Sequence, residues 1–132
     1  MIVLDASALI AFLNRSDALH ERAVASLLAL GPQPFAISPI TYAEILVGPT
    51  RAGRLDRTRA ALATLGVAET ALPADAAPRL ARLRLDTSLK LPDCCVILAA
   101  QQGSASILTF DDGLVSAARR LKIGLADRGP DG

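Results

Sequence analysis

The chain has 132 residues, a net charge of +1 and a hydrophobic fraction of 52%, which fits one well-packed domain and excludes a disordered chain. No apolar run approaches the roughly 20 residues that span a bilayer, and the N-terminus lacks the basic region and cleavage site of a secretory signal. The two cysteines, Cys94 and Cys95, are adjacent and cannot join distant segments. We therefore expect a single domain over 1–132 in the cytoplasm, with a frayed tail at 129–132.

The first segment combines a short apolar strand, a carboxylate and the start of an amphipathic helix. Residues 2–4 are apolar on both faces, as in a covered parallel strand, and Asp5 ends that run. Apolar residues then recur at helical spacing from Ala8 to Leu13. Asp5 is thus expected at the carboxyl end of a strand, where open α/β sheets place their sites, although an aspartate there is equally a common helix cap.

Helix-like and strand-like segments alternate along the rest of the chain. Helical periodicity occurs at 18–30, 39–47, 51–65, 73–90, 94–102 and 114–121. Strand-like runs occupy 35–38, 67–72, 105–110 and 123–126. The pairs Gly31-Pro32 and Gly48-Pro49 are predicted to interrupt helices. This alternation predicts an α/β fold with a parallel sheet of about five strands and helices on both faces.

Four acids adjoin these apolar elements: Asp5, Glu44, Asp93 and Asp111. In a parallel sheet with right-handed crossovers, the residues that follow the strands meet at one edge. Crowded carboxylates repel one another, and a divalent cation relieves that repulsion. Because Mg²⁺ and Mn²⁺ prefer carboxylate oxygens and Mg²⁺ also accepts phosphate oxygens, the pattern points to phosphodiester chemistry. Spacing leaves open whether Asp111 or Asp112 is the fourth ligand, the other being a helix cap.

Other catalytic chemistries lack their residues. His20 is the single histidine, so a histidine-pair nuclease and a histidine-rich zinc site are excluded by count, and His20 itself is expected to be an exposed helix residue. Cys94 and Cys95 are expected to be small buried packing residues. The aromatic content of 3% also argues against binding of single strands by base stacking.

Four segments of the chain carry a family resemblance: IVLDASALI at 2–10, TYAEI at 41–45, LPD at 91–93 and LTFD at 108–111. With these motifs in register over essentially the whole chain, the sequence resembles PIN-domain ribonucleases and, more narrowly, the VapC toxins of bacterial VapBC toxin–antitoxin pairs.

The resemblance implies a Mg²⁺- or Mn²⁺-dependent endoribonuclease in which Asp5, Glu44, Asp93 and Asp111 surround the metal ion. It also implies that Ser7 and Thr109 support these acids. Members of this family usually form homodimers, and a small VapB antitoxin covers their active-site groove. The expected partners are therefore RNA, a cognate antitoxin and a second copy of the chain, without a membrane.

An alternative function is a catalytically silent PIN-like module that binds RNA or a protein. The presence of all four acids counts against it, because a binding module has no need of their mutual repulsion. Three arginines follow the Glu44 helix, namely Arg51, Arg54 and Arg57. We interpret them as contacts for RNA phosphates or for acidic groups of the antitoxin, whereas composition alone favours the solvated face of a helix.

Overall fold

The first strand, β1 (Ile2–Leu4), lies inside a four-stranded parallel sheet in the computed structural model, which describes residues 1–127. The other strands are β2 (Phe35–Ile37), β3 (Val67–Glu69) and β4 (Ser106–Leu108), and the order across the sheet is β3-β2-β1-β4. All neighbouring strands pair in parallel, with Val3 opposite Ala36 on one side and Ile107 on the other. The tail predicted at 129–132 lies outside the described residues.

The described helices are α1 (Ala6–Leu13), α2 (His20–Leu30), α3 (Pro39–Arg51), α4 (Leu55–Leu65), α5 (Ala76–Thr87), α6 (Leu91–Gly103) and α7 (Asp112–Arg120). Val3 packs into a core formed with α5, α6 and α7, whereas Ile2 and Leu4 pack into a second core formed with α1 to α4. Alternate residues of one strand thus face opposite layers. The predicted α/β fold with helices on both faces is confirmed. None of the helices within residues 1–127 has the length and apolar character that a bilayer span requires.

The predicted strand at 123–126 is reduced to a single parallel bridge between Leu125 and Ile107. The Ile107 amide donates to the Gly124 carbonyl and the Ala126 amide donates to the Ile107 carbonyl, both at 2.9 Å. Four strands and this bridge make the estimate of about five strands approximately right. The bridge holds β4 from its outer side, while β1 holds it from the inner side.

The predicted break at Gly48-Pro49 is wrong, because α3 continues through both residues to Arg51. Pro49 has no N–H to donate within the helix. The last turn of α3 nevertheless closes, because the Ala52 amide donates to the Gly48 carbonyl at 3.0 Å. The chain instead leaves the helix at Gly53, whose φ of +72° is readily adopted only by glycine. The helix expected from 51 therefore begins at Leu55, and Arg54 lies between two helices.

Candidate active site

Because all described strands are parallel, their carboxyl ends lie at one edge of the sheet. Asp5 directly follows β1, and Asp111 lies just beyond β4. Glu44 lies in α3, which begins immediately after β2, and Asp93 lies in the first turn of α6. The negative charges of Asp111, Asp5 and Glu44 all raise the pKa of Asp93, so these acids lie within electrostatic reach of it. We call these four residues the acid cluster.

Asp5 is the buried member of the acid cluster, with 3% of its surface exposed. The Ala8 amide donates to Asp5 Oδ1 at 3.0 Å, and Thr109 Oγ1 donates to Asp5 Oδ2 at 2.5 Å. Ser7 Oγ lies 2.8 Å from Oδ1 and 2.9 Å from Oδ2, so its one proton is shared between the two oxygens. Asp5 therefore caps α1 and also lies at the carboxyl end of β1, as the sequence predicted.

The two hydroxyls that contact Asp5 also hold the segment after β4. The Phe110 amide donates to Ser7 Oγ at 2.9 Å, and the Asp111 amide donates to Thr109 Oγ1 at 3.0 Å. Each hydroxyl thus accepts one backbone proton and donates its own proton to the Asp5 carboxylate. Donation in both directions fixes the hydroxyls, as expected for residues that support a site acid.

Burial and hydrogen bonding have opposite effects on the pKa of Asp5. Burial, the largest influence, raises the pKa of Asp5, because it disfavours the charged form. The hydrogen bonds from Thr109, Ala8 and Ser7 stabilise the carboxylate and lower the pKa, whereas the charge of Asp111 raises it further. The net effect is a raised pKa, which means that Asp5 holds its negative charge at a cost in folding free energy.

Asp93 is partly buried and accepts no hydrogen bond from any residue between 1 and 127. Burial raises the pKa of Asp93 most, and the charges of Asp111, Asp5 and Glu44 raise it further, with Lys90 opposing them. A carboxylate in this position has free acceptor oxygens and an excess of negative charge around it. A cation is the partner that this arrangement favours.

The choice between Asp111 and Asp112 is informed by their surroundings. Asp111 Oδ1 accepts a hydrogen bond from the Leu114 amide at 2.9 Å and caps α7, while the charge of Asp111 acts on both Asp5 and Asp93. Asp111 and Asp112 are both exposed, and Asp112 lies in the first turn of α7. Asp111 therefore combines the role of helix cap with a charge that acts on Asp5 and Asp93.

The residues present fit a hard divalent cation in type and charge. The donors are all carboxylate oxygens, and on Asp5 three hydrogen-bonding protons occupy a group with roughly four acceptor positions. Within residues 1–127 no three His, Cys, Asp or Glu side chains are arranged to hold one metal ion together. Mg²⁺ does not need such a cage, since it usually keeps several waters and binds through one or two carboxylates. Asp5 and Asp93 are the pair best suited to that role.

Glu44 and the three predicted arginines are all exposed. Arg54 and Glu44 border one cleft of about 340 Å³ between α1 and α3, here called the α1–α3 cleft. Its lining comprises Ile10, Leu13, Asn14, Glu44, Ile45, Gly48, Pro49 and Arg54. Arg51 borders a different groove, of about 570 Å³, and Arg57 is exposed on α4 and borders neither. Arg54 therefore shares a cleft with Glu44, a member of the acid cluster.

One contact at the site was not anticipated from the sequence. The Arg22 guanidinium in α2 lies 4.7 Å from the ring centroid of Phe110, and Arg22 Nε donates to Asp127 Oδ2 at 2.8 Å. Phe110 is the residue whose amide donates to Ser7, so Arg22 joins α2 and the bridged C-terminal segment to the residues that hold Asp5. No sequence signal indicates a contact between positions 105 residues apart.

The cysteines and the histidine have structural surroundings. Cys94 and Cys95 are free and buried in α6, and burial raises the pKa of both thiols, which keeps them protonated and unreactive. The prediction that they are packing residues is confirmed. His20 is partly buried rather than exposed, and its Nδ1 lies 2.8 Å from the Ala11 carbonyl oxygen. It therefore joins α2 to α1.

Comparison with known proteins assigns the family. The family model described as "PIN domain" matches residues 2–120. A toxin–antitoxin complex from Klebsiella pneumoniae is 31% identical, with 84% of this chain and 87% of that chain covered and a TM-score of 0.68. The Mycobacterium tuberculosis toxin VapC20, described as cleaving the sarcin-ricin loop, is 18% identical over 89% of this chain and 95% of that one, with a TM-score of 0.70.

A third solved structure is VapBC2 from Rickettsia felis bound to a DNA fragment from its promoter. It is 18% identical, covers 95% of this chain and 97% of that chain, and has a TM-score of 0.66. At 18% identity, the similarity to VapC20 and to VapBC2 shows a shared fold. No significant match was found among curated proteins. The match over residues 2–120, together with the relative at 31% identity, confirms the predicted resemblance. The chain belongs to the PIN-domain family.

Proposed function

We propose that this chain is the toxin of a type II toxin–antitoxin system and acts as an endoribonuclease that depends on Mg²⁺ or Mn²⁺. The observation that carries the proposal is the acid cluster, in which a buried Asp5 held by three hydrogen-bond donors lies within electrostatic reach of Asp93 and Asp111. Membership of the PIN-domain family and the likeness to a Klebsiella toxin–antitoxin complex support the same function.

The roles of the residues follow from their surroundings. Asp5 and Asp93 would hold the ion, Ser7 and Thr109 keep Asp5 oriented, and Asp111 adds negative charge at the edge of the site. When bound, a divalent cation activates water for attack on phosphorus and neutralises the scissile phosphate. Without that cation the carboxylates repel RNA, so productive substrate binding should itself depend on the metal.

The proposed partners are RNA, a VapB-type antitoxin and a second copy of the chain. The Klebsiella relative was solved as a toxin–antitoxin complex, and VapBC2 was solved on promoter DNA. Arg54 supports a polyanionic or acidic partner, because it forms no ion pair with any residue in the described range. We place the protein in the cytoplasm, where buried free thiols remain reduced.

A silent binding module is a weaker explanation of this site. The neighbouring acids raise the pKa of Asp93, because they repel its negative charge. A module without a cation would be more stable if one of these charges were removed. The retained cluster therefore favours catalysis.

The test is cleavage of defined RNA by the purified chain with Mg²⁺, with Mn²⁺ and with EDTA. We expect cleavage with either ion and none in EDTA, and restored cleavage when the ion is added back. Asp93→Asn should be inactive, whereas Asp86→Asn on α5, an acid in an exposed ion pair with Arg82, should keep full activity. Cleavage that persists in EDTA would exclude the metal mechanism.

A further inference from the structure

The α1–α3 cleft opens beside the acid cluster, and Glu44 is common to both. Glu44 borders the cleft, and its helix α3 packs against α1, which begins directly after Asp5, and against α6, whose first turn carries Asp93. A chain molecule with one phosphate at the acid cluster would therefore bring its neighbouring unit to the mouth of this cleft. The position is that of a subsite next to the reacting bond.

The walls of the cleft are apolar, and its size suits a small planar group. Ile10 is 44% exposed although it is apolar, and Leu13, Ile45 and Pro49 complete the walls. The volume of about 340 Å³ lies at the lower end of the roughly 300–1,000 Å³ found for small-molecule sites. The faces of a nucleobase are apolar enough to be buried between such side chains.

Polar groups at the rim match the remaining parts of a nucleotide. Asn14 Oδ1 accepts the Ser16 amide at 3.0 Å, which orients the Asn14 amide group and leaves its NH₂ donors for another partner. Arg54 forms no ion pair with any other described residue. Asparagine reads the edges of bases, and arginine binds phosphate or stacks on a base.

We propose that the α1–α3 cleft binds the base of the nucleotide adjacent to the scissile phosphate and gives the enzyme a base preference at that position. The proposal rests on the ribonuclease function proposed above. Asn14 contacts the base edge, and Arg54 contacts the base or its phosphate. A protein helix is the less suitable occupant, since it lays an apolar face into an apolar groove, whereas this cleft is also lined by the charged side chains of Glu44 and Arg54.

Gly48 provides a direct test, because it borders the cleft in mid-helix. A Cβ built on Gly48 has no atom within 4 Å, so a larger side chain enters open space. Gly48→Leu should fill the cleft without straining α3, and Gly48→Ala should fill it partly. Ala61→Leu adds apolar volume on the exposed surface of α4, outside the cleft, and is the matched control.

The experiment measures kcat/KM for RNA substrates that carry each of the four bases on either side of the cleavage point. The parent should prefer one base at one of these positions. Gly48→Leu should lower kcat/KM for that base by about 10- to 100-fold, the discrimination expected of one good base contact, and leave the slow cleavage of the other bases unchanged. Gly48→Ala should fall between the two, and Ala61→Leu should match the parent.

Four results would overturn the proposal. The first is a parent enzyme without base preference, and the second is a Gly48→Leu enzyme that keeps the parental preference. The third is an equal loss for all bases, since that indicates a disturbed Glu44, one helical turn away. Unchanged cleavage with lost inhibition by the cognate antitoxin would assign the cleft to a protein partner and also overturn it.

Failure of the ribonuclease function itself is recognised separately. If the parent cleaves no RNA with Mg²⁺ or Mn²⁺, the affinity for short homopolymers of each ribonucleotide is measured by fluorescence anisotropy. A base-dependent affinity that Gly48→Leu removes would then support the cleft as a base site, and equal affinities in both proteins would overturn it.

Discussion

Asp5 and Glu44, two acids at the same edge of the sheet, have opposite surroundings. Asp5 is 3% exposed and is held by the backbone of α1 and by hydroxyls from two segments of the chain. Glu44 is exposed on α3, forms no hydrogen bond or ion pair with any described residue, and shares an open cleft with Arg54. One side of the site is thus held by hydrogen bonds, whereas the other side is exposed and forms none within the described residues.

This difference suggests a division of labour. A bound ion requires ligands in a defined position, and the hydrogen bonds to Asp5 provide it. The proposed RNA substrate would require side chains that can move, and the exposed residues of α3 and the loop after it would provide those. Substitutions on the Asp5 side should therefore change stability and catalysis together, whereas those on the α3 side should change catalysis or specificity alone.

The largest expected effect separates Asp5 from Asp93. Asp5→Asn and Asp93→Asn should each lower kcat by about 10³-fold, because each removes a carboxylate from the proposed metal site, and metal activation is worth several kcal/mol. Their stabilities without metal should differ in sign. Asp5→Asn presents an NH₂ group to hydrogen-bond donors and should lose about 1–3 kcal/mol, whereas Asp93→Asn relieves repulsion and should be more stable.

Urea unfolding in EDTA measures the stabilities of Asp5→Asn and Asp93→Asn. Single-turnover cleavage with Mg²⁺ measures their activities. Asp86→Asn on α5 is the control for the change from carboxylate to amide. Equal stability losses in Asp5→Asn and Asp93→Asn would mean that both acids are structural caps.

The next effect concerns Thr109, whose hydroxyl donates a hydrogen bond to Asp5 and accepts one from the Asp111 amide. Thr109→Ala removes a hydroxyl that orients a proposed ligand, and such losses typically lower metal affinity or activity by about 10- to 100-fold. Thr109→Ser keeps the hydroxyl and should recover most of that loss. Titration of activity against Mg²⁺ distinguishes the two variants, and equal activity of both would assign Thr109 a packing role.

A pH experiment isolates the repulsion at Asp93. Burial and neighbouring acids raise the pKa of the Asp93 carboxyl above its ordinary 3.8. The carboxyl therefore stays protonated to a higher pH in the folded protein than in the unfolded chain. The stability contribution of Asp93 is therefore fully present below 3.8 and is lost as pH rises through the raised pKa.

Melting temperatures of the parent and Asp93→Asn in EDTA, measured from acid to neutral pH, test this sign. The variant should match the parent at the acid end and become the more stable protein towards neutrality. A difference that stays constant across the range would show that titration of Asp93 does not contribute.

The sequence predicted those parts of the site that depend on local pattern. Asp5 and Asp111 follow strands, and a parallel sheet brings such positions to one edge whatever the details of packing. It did not predict that α3 continues past Pro49, because the neighbouring turn closes through contacts that proline statistics do not contain. It also did not predict the contact of Arg22 with Phe110, because α2 and the segment after β4 meet only through tertiary packing.

That contact yields the smallest expected effect. Arg22→Ala removes a cation–π contact and a 2.8 Å ion pair with Asp127, and because 40% of the Arg22 side chain is exposed we expect a loss of only about 1 kcal/mol in unfolding free energy. Activity should fall a few-fold, because Phe110 donates to Ser7. Arg82→Ala, which breaks a 3.9 Å pair on the exposed surface of α5, should change neither.

Arg22→Lys adds a sharper comparison, because lysine keeps the charge and loses the planar group that stacks on the ring. If Arg22 acts by holding Phe110, the stability and the cleavage rate of Arg22→Lys should each lie between those of Arg22→Ala and those of the parent. Chemical denaturation and cleavage rates measured on the same preparations would decide this. An Arg22→Ala protein that loses stability but keeps parental cleavage would show that Arg22 only attaches the C-terminal segment, and that the hydroxyls of Ser7 and Thr109 hold the rigid side of the site without it.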